Sequence, residues 1–169
     1  MSCNMTYDEL HTAYHELQKE VSNKETMFDY KCKVKKIVDG DTLDAYIDLG
    51  FDVWTTKRIR FMGIDTPESR TRDLTERRYG KGAKHRLVEM LEGNGNIFTV
   101  RSHGIGKFGR VLGELFIEEF ECSVNEQMIT EGHAVPYFGG SKQEVKDALT
   151  EARKLSSDYV LTHIEEIKK

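Results

Sequence analysis

RFMGIDTPE, residues 60–68, is the stretch around which the predicted fold is organised. Polar and apolar side chains of mixed pattern alternate from residue 57 to residue 64, which predicts a β-strand. Pro67 has no backbone N–H and disfavours helical geometry at the residue before it. The strand is therefore expected to end at this proline.

Three groups with different chemistry lie on this short piece of backbone. Arg60 carries a guanidinium, and Asp65 and Glu68 carry carboxylates. A guanidinium can bind a phosphate, one carboxylate can hold a metal ion, and the other can accept a proton. The stretch therefore indicates a site suited to attack on a phosphodiester.

Two further strands are predicted before this one. Side chains alternate with a period of two over residues 30–35 and again over residues 42–49, and the Asp-Gly pair within residues 38–41 is a strong turn signal between them. A second turn, at residues 50–54, leads into the third strand. Three consecutive antiparallel strands of this kind favour a meander that coils into a barrel.

The second half of the chain predicts helices and two more strands. Residues 69–78 have no apolar period and are interpreted as a mobile, arginine-rich loop; a helix then follows and stops at residues 93–95. Strands are predicted at residues 97–100 and 110–117. Two Ser-x-x-Glu capping boxes open later helices, the second of which has a candidate interruption at a pair of serines. These boxes are Ser123 with Glu126 and Ser141 with Glu144, and the serine pair is Ser156–Ser157.

The charge of the chain is unevenly distributed. The formal net charge is −4, but residues 69–110 carry ten basic and four acidic side chains. This basic block could attract a phosphate backbone, although a solvated helix face explains it equally well. The sequence has no secretory signal and no apolar run near the roughly 20 residues that span a bilayer, so a cytoplasmic protein without membrane contact is expected.

Three short motifs could converge on one site. They are Asp39-Gly-Asp41-Thr42, Arg60 with Asp65-Thr66-Pro67-Glu68, and Lys107-Phe-Gly-Arg110. In order, spacing and identity these motifs resemble those of the staphylococcal-nuclease (thermonuclease) family, and the resemblance runs from about residue 30 to about residue 155. With no secretory signal, the chain is more similar to the intracellular or phage-encoded members.

The resemblance implies a fold and a domain organisation. The expected class is α+β, with a five-stranded OB-fold β-barrel, about three helices and an additional amphipathic helix at the N-terminus. We expect an N-terminal helical extension at residues 1–28, the barrel domain at residues 29–156 and a C-terminal helical tail at residues 157–169.

The resemblance also implies an activity and a role for each motif residue. The implied activity is that of a Ca²⁺-dependent phosphodiesterase that acts on DNA and RNA with little sequence specificity. By this resemblance Arg60 and Arg110 would clamp the scissile phosphate, and Glu68 would orient or deprotonate the attacking water. The calcium ligands would be Asp41, Asp65 and the backbone carbonyl of Thr66, with the Asp39 carboxylate behind them. Lys107 and Tyr137 would bind the substrate.

The chain departs from the family at one motif position. Phe108 stands where members often carry a tyrosine, so a hydroxyl contact is lost there. Tyr137 is expected to stack on a base, and packing on the barrel is an equal alternative for it.

Two other functions remain open at this stage. One is an OB-fold module that binds nucleic acid or protein with weak or no catalysis. The other is an interaction protein whose N-terminal helix binds a protein partner, which nothing else in the sequence supports. A monomer is expected in each case.

Overall fold

The computed structural model describes residues 28–137 and 139–168, and the chain there forms a barrel flanked by helices. In chain order the elements are strands β1 (Phe28–Asp39), β2 (Thr42–Asp48), β3 (Trp54–Phe61) and β4 (Ile64–Asp65), helix α1 (Leu74–Gly93), strand β5 (Ile97–Ile105), a 3₁₀ turn (Lys107–Gly109), strand β6 (Val111–Phe116), helix α2 (Val124–Thr130), strand β7 (Val135–Pro136), and helices α3 (Lys142–Thr162) and α4 (Ile164–Ile167). The predicted N-terminal helix lies outside the described residues.

Five strands close the barrel in the order β1-β2-β3-β6-β5. All neighbours are antiparallel except β3 and β6, which run parallel and complete the ring. Inward-facing side chains such as Leu43, Ile59 and Val100 are fully buried, as are Leu87 and Leu91 of α1, which cover the barrel. The predicted α+β fold with an OB-type barrel is therefore confirmed, and the described residues contain three helices of seven or more residues.

The third strand ends earlier than predicted. β3 stops at Phe61, and Gly63 has a positive φ of 75°, a conformation that glycine adopts at little cost. Ile64 and Asp65 then form a separate short strand that pairs with β7. The expectation of one strand running to Pro67 was wrong, because the chain turns at Gly63 and leaves the barrel.

The first helix begins earlier than predicted. Asp73 is its N-cap, and the Asp73 side chain accepts hydrogen bonds from the backbone N–H groups of Thr75 and Glu76. Residues 74–78, which we expected to belong to a mobile loop, are therefore helical. The capping signal at Asp73 was present in the sequence, but the absence of an apolar period around it hid the helix start.

Helix α3 is longer than predicted. Its capping box is present, with Ser141 and Glu144 bonding each other's backbone N–H groups, but the helix runs without interruption through Ser156 to Thr162. The expected domain boundary at residue 156 thus falls inside one helix. In the part of the chain that the structure describes, none of the helices is long and apolar enough to cross a membrane.

Buried Asn125 ties the closing strands to α2. Its side-chain oxygen accepts from the backbone N–H of Leu115, and its amide group donates to the carbonyl oxygens of Met62 and Gly113 at 2.9 and 3.2 Å. This single amide satisfies backbone groups of β6 and of the turn after β3. It therefore stabilises the parallel pairing of β3 with β6, which closes the barrel, and the turn by which the chain leaves β3.

Replacing Asn125 with Ala should lower the free energy of unfolding by about 2–3 kcal/mol, since it leaves buried backbone groups without partners. Urea unfolding followed by circular dichroism measures this loss. Gln143→Ala, on the exposed face of α3, is the control and should cost less than about 0.5 kcal/mol. Equal losses in the two variants would contradict a locking role for Asn125.

His133 is buried where α2, α1 and α3 meet. It is 2% exposed, its ring lies edge-on to Tyr159 with centroids 5.0 Å apart, and its Nε2 lies 3.8 Å from Glu131. Burial lowers the pKa of His133 to about 4, although the nearby Glu131 carboxylate opposes that change. The imidazole is therefore neutral in the folded protein at neutral pH.

This buried histidine should make the protein less stable in mild acid. Between pH 6.5 and pH 4 the unfolded chain gains a proton on His133 that the folded chain does not, so the free energy of unfolding should fall with a slope approaching about 1.4 kcal/mol per pH unit. Urea unfolding of the wild type and of His133→Gln across this range isolates the contribution. His103→Gln, in an exposed part of β5, should keep the wild-type slope; if His133→Gln keeps it too, His133 is not the group responsible.

Candidate active site

The predicted site residues converge at the end of the barrel where β2 begins and β3 ends. Thr42 pairs with Arg60 across the two strands, and the backbone N–H of Phe61 donates to the carbonyl oxygen of Asp41 at 2.9 Å. This register places Asp41 beside Arg60. The Gly63 turn then returns the chain so that Asp65 lies on the other side of the same guanidinium.

The guanidinium of Arg60 pairs with both aspartates. Its two terminal nitrogens lie 3.1 Å from Asp41 Oδ2 and 2.8 Å from Asp65 Oδ1. Asp41 is also held by two donors, the Thr66 backbone N–H at 3.1 Å and the Thr42 hydroxyl at 2.8 Å. These contacts fix two carboxylates, a cation and the Thr66 backbone in one cluster.

The electrostatics of the cluster favour a cation. Burial and the neighbouring Asp41 charge raise the pKa of Asp65 to about 6, against the opposing effect of Arg60. Burial also raises the pKa of Asp39, while a hydrogen bond with Ser69 opposes the change. Positive charge placed beside these acids would therefore be stabilised.

The donor set fits a hard divalent ion. Across residues 28–137 and 139–168 no three His, Cys, Asp or Glu side chains form a metal-binding cluster, so only the chemistry of the predicted ligands can be compared with that of an ion. The ligands expected from the sequence, Asp41, Asp65 and the Thr66 carbonyl, offer oxygen atoms alone, the type of ligand that Ca²⁺ prefers.

Helix α1 holds the segment that carries Glu68. A Cβ built on Gly80 would lie 2.6 Å from backbone atoms of Pro67, Glu68 and Ser69, so only glycine allows the helix to approach this closely. Glu68 is exposed and Thr66 and Pro67 are buried. The backbone is thus fixed while the Glu68 carboxylate projects outward.

A cavity of about 850 Å³, which we call the main cavity, opens over the cluster. Eight of the predicted site residues line it: Asp39, Asp41, Arg60, Asp65, Thr66, Glu68, Arg110 and Tyr137. Tyr137 is held by its backbone N–H, which donates to the Gly63 carbonyl oxygen at 2.8 Å. Lys107 lies on the exposed 3₁₀ turn and does not line this cavity.

The sequence analysis missed several residues of the cavity wall. Arg58, two positions from Arg60 and hence on the same strand face, lines it, and so do Lys142 and Lys146 of α3. The period-two spacing could have identified Arg58. The lysines carry no such signal, because the docking of α3 beside the barrel brings them to the site.

The predicted basic block contributes less than its charge suggested. Of the ten basic residues in 69–110, Arg110 alone lines the main cavity. Arg86 bonds Glu131 through two nitrogens at 2.6 and 2.8 Å, and Arg101 bonds Asp29 in the same way at 2.9 Å. Members of the block therefore form ion pairs between elements, and most cations of the cavity come from β3 and α3.

Replacing Arg60 with Met should destabilise the metal-free protein by about 1–3 kcal/mol, because it leaves two partly buried carboxylates without their cation. Arg58→Met is a matched control on the same strand: Arg58 pairs with Asp44 in a more exposed position, and its loss should cost less than about 1 kcal/mol. Urea unfolding in the presence of chelator compares the two. An equal or larger loss in Arg58→Met would contradict a central role for the Arg60 cluster.

Comparison with known proteins places this chain in a family. A family model described as staphylococcal nuclease homologue matches residues 58–157. Endonuclease YhcR of Bacillus subtilis is 34% identical over 117 residues, which cover 65% of this chain and 9% of that protein. An uncharacterized protein of Methanocaldococcus jannaschii, MJ1439, is 31% identical over 138 residues, covering 70% of this chain and 63% of the relative.

An uncharacterized protein of Bacillus anthracis is 30% identical over 107 residues, 62% of this chain and 46% of that protein. The chain thus spans less than two thirds of the length of each of these relatives. The family match covers more than half of the chain and includes most of the residues that line the main cavity. With its closed five-stranded barrel, this chain belongs to the staphylococcal nuclease family.

Proposed function

We propose that this chain is a Ca²⁺-dependent phosphodiesterase that hydrolyses DNA or RNA with little sequence specificity. The observation that carries the proposal is the convergence of Asp41, Arg60, Asp65, Glu68 and Arg110 on one cavity at the end of the barrel. Family membership and the name of the Bacillus subtilis relative, an endonuclease, support the same class of reaction.

The charges of the main cavity support a requirement for a metal ion. Its wall carries five carboxylates and five cationic side chains, so the protein alone offers little net attraction to a polyanion. Asp41, Asp65 and the Thr66 carbonyl would hold Ca²⁺, and Asp39 would support them from behind. The bound ion would supply positive charge to a phosphate oxygen and lower the cost of the charge that develops there.

The two arginines would bind the scissile phosphate. A planar guanidinium matches two phosphate oxygens, and the charge of the transition state accumulates on those atoms. Arg60 is now paired with Asp41 and Asp65, so its guanidinium has to leave at least one of them to reach a phosphate. Arg110 precedes β6, which pairs with β3, and lines the same cavity, so it would complete the clamp.

Glu68 would act on the attacking water. Its carboxylate is exposed in the cavity while its backbone is held by α1, which suits a group that must receive a proton at a fixed position. Water oxygen forms the new bond to phosphorus, its proton passes to Glu68, and the bond to the 5′-oxygen breaks. The leaving oxygen takes a proton from solvent, and the products end in a 3′-phosphate and a 5′-hydroxyl.

Cleavage of a single-stranded DNA oligonucleotide tests the proposal, with Ca²⁺, with Mg²⁺ and with chelator. The wild type should cut in Ca²⁺ and stop in chelator. Glu68→Gln should lose about 10²–10⁴ in rate and Arg110→Ala about 10²–10³, the usual range for a general base and for one donor to a developing negative charge. Gel analysis of end-labelled products gives the rates.

Two matched variants control for surface charge. Glu118→Gln and Arg101→Ala change the same residue types away from the main cavity and should cut at the wild-type rate. Cutting that survives chelation would contradict the metal requirement. Binding of the oligonucleotide without cutting in any ion would contradict the enzyme and favour an OB-fold binding module.

A further inference from the structure

A second cavity adjoins the main one. It has a volume of about 650 Å³ and lies between β2, β3 and the 3₁₀ turn. Arg58 and Arg110 line both cavities, so the two form a continuous path across the protein surface. Lys57, Asp44 and Phe108 also line the second cavity. None of these three residues has a role in the proposed reaction.

The most unusual residue of this second cavity is Phe108. Its ring is 90% exposed, and its backbone has φ 70° and ψ 17°, a left-handed conformation that costs a bulky residue about 1 kcal/mol or more. The turn around it is closed by hydrogen bonds from Gly109 N–H to Gly106 O at 3.3 Å and from Gly106 N–H to Arg110 O at 2.8 Å. The fold therefore holds a large apolar ring in solvent, and, unlike the similarly exposed Phe51, this ring lies in the wall of a cavity.

The charges of the second cavity suit a phosphate. Arg58 donates to both oxygens of Asp44, at 2.7 and 3.0 Å, so these two side chains neutralise each other. The remaining charged groups of the wall, Lys57 and Arg110, are both positive. The Arg110 guanidinium also lies 5.8 Å from the centroid of the Phe108 ring. A flat aromatic surface thus stands beside two cations.

We propose that the second cavity is a nucleotide subsite, in which the base next to the scissile phosphate stacks on Phe108 and the adjoining backbone phosphate lies against Lys57. The inference rests on the proposed function, since Arg110 belongs to both cavities. Stacking on a bare phenyl ring accepts every base, because each base has a π-face. The ligand is therefore a polynucleotide of at least two residues with an unpaired base at this position, bound without sequence preference.

Phe51 provides a matched control for Phe108. It is also a fully exposed phenylalanine at a positive φ, here 54°, but it lies at the tip of the β2–β3 hairpin and lines neither cavity. Phe108→Ala and Phe51→Ala thus make the same chemical change in similar backbone conformations. Phe108→Tyr retains the aromatic face and should rescue binding.

The experiment compares the binding of single-stranded oligonucleotides by these variants. Tetranucleotides carrying 2-aminopurine at each position in turn are titrated in chelator, where fluorescence quenching reports stacking and anisotropy gives affinity. We expect one quenched position in the wild type that is lost in Phe108→Ala, with binding at least about fivefold weaker. Phe51→Ala and Phe108→Tyr should bind as the wild type does. Lys57→Ala should reduce the dependence of log affinity on log salt by about one unit.

A parallel measurement of cleavage separates this inference from the proposed function. In Ca²⁺ the wild type should show a lower KM for the tetranucleotide than for the dinucleotide, and Phe108→Ala should lose that preference. Cutting with binding and KM ratios unchanged in Phe108→Ala would overturn the subsite and leave the nuclease standing. Stacking on Phe108 without cutting would overturn the nuclease and retain the subsite, and a wild type that neither binds nor cuts would overturn both.

Discussion

The ion pairs of Arg60 with Asp41 and Asp65 are the interaction on which the site depends. Asp41 lies in the turn before β2, Arg60 in β3 and Asp65 in β4. The guanidinium nitrogens of Arg60 lie 3.1 Å from Asp41 Oδ2 and 2.8 Å from Asp65 Oδ1. Two carboxylates this close repel each other unless a cation lies between them, as the raised pKa of Asp65 indicates. The barrel places the groups together, and the guanidinium makes that placement stable in the absence of a metal ion.

Packing of helices beside this cluster supplies the other walls of the main cavity. Helix α1 approaches residues 67–69 closely at Gly80 and fixes the backbone of Glu68, while α3 supplies Lys142 and Lys146 to the wall. Helix α3 is held in turn by Tyr159, whose hydroxyl donates to Glu89 of α1 at 2.6 Å. Contacts far from the barrel end thus determine the width of the cavity and the position of its cations.

The structure brings most of the predicted site residues to one cavity, whereas several element bounds differ from the prediction. Asp41, Arg60 and Asp65 were named from their motifs, and in the structure strand pairing and a short turn bring them together. The end of β3 could not be predicted, because the alternation of side chains continues through Gly63 although the backbone turns there. Lys107 was assigned from its motif, yet the direction of an exposed turn is not encoded in a residue pattern. Lys142 and Lys146 depend on how a distant helix docks, which periodicity does not specify.

The two cavities differ in the balance of charged side chains that line them. The main cavity balances five carboxylates against five cationic side chains, so under the proposed function a bound divalent ion would supply its attraction for a phosphate. The second cavity neutralises its one carboxylate with Arg58 and keeps Lys57 and Arg110 positive, so its attraction exists without an ion. Because Arg110 borders both cavities, a strand held in the second cavity as proposed would present its next phosphate to the main one. Such an arrangement would let a protein of net charge −4 bind a polyanion, because the sign of the local charge, and not of the whole surface, decides where a strand lies.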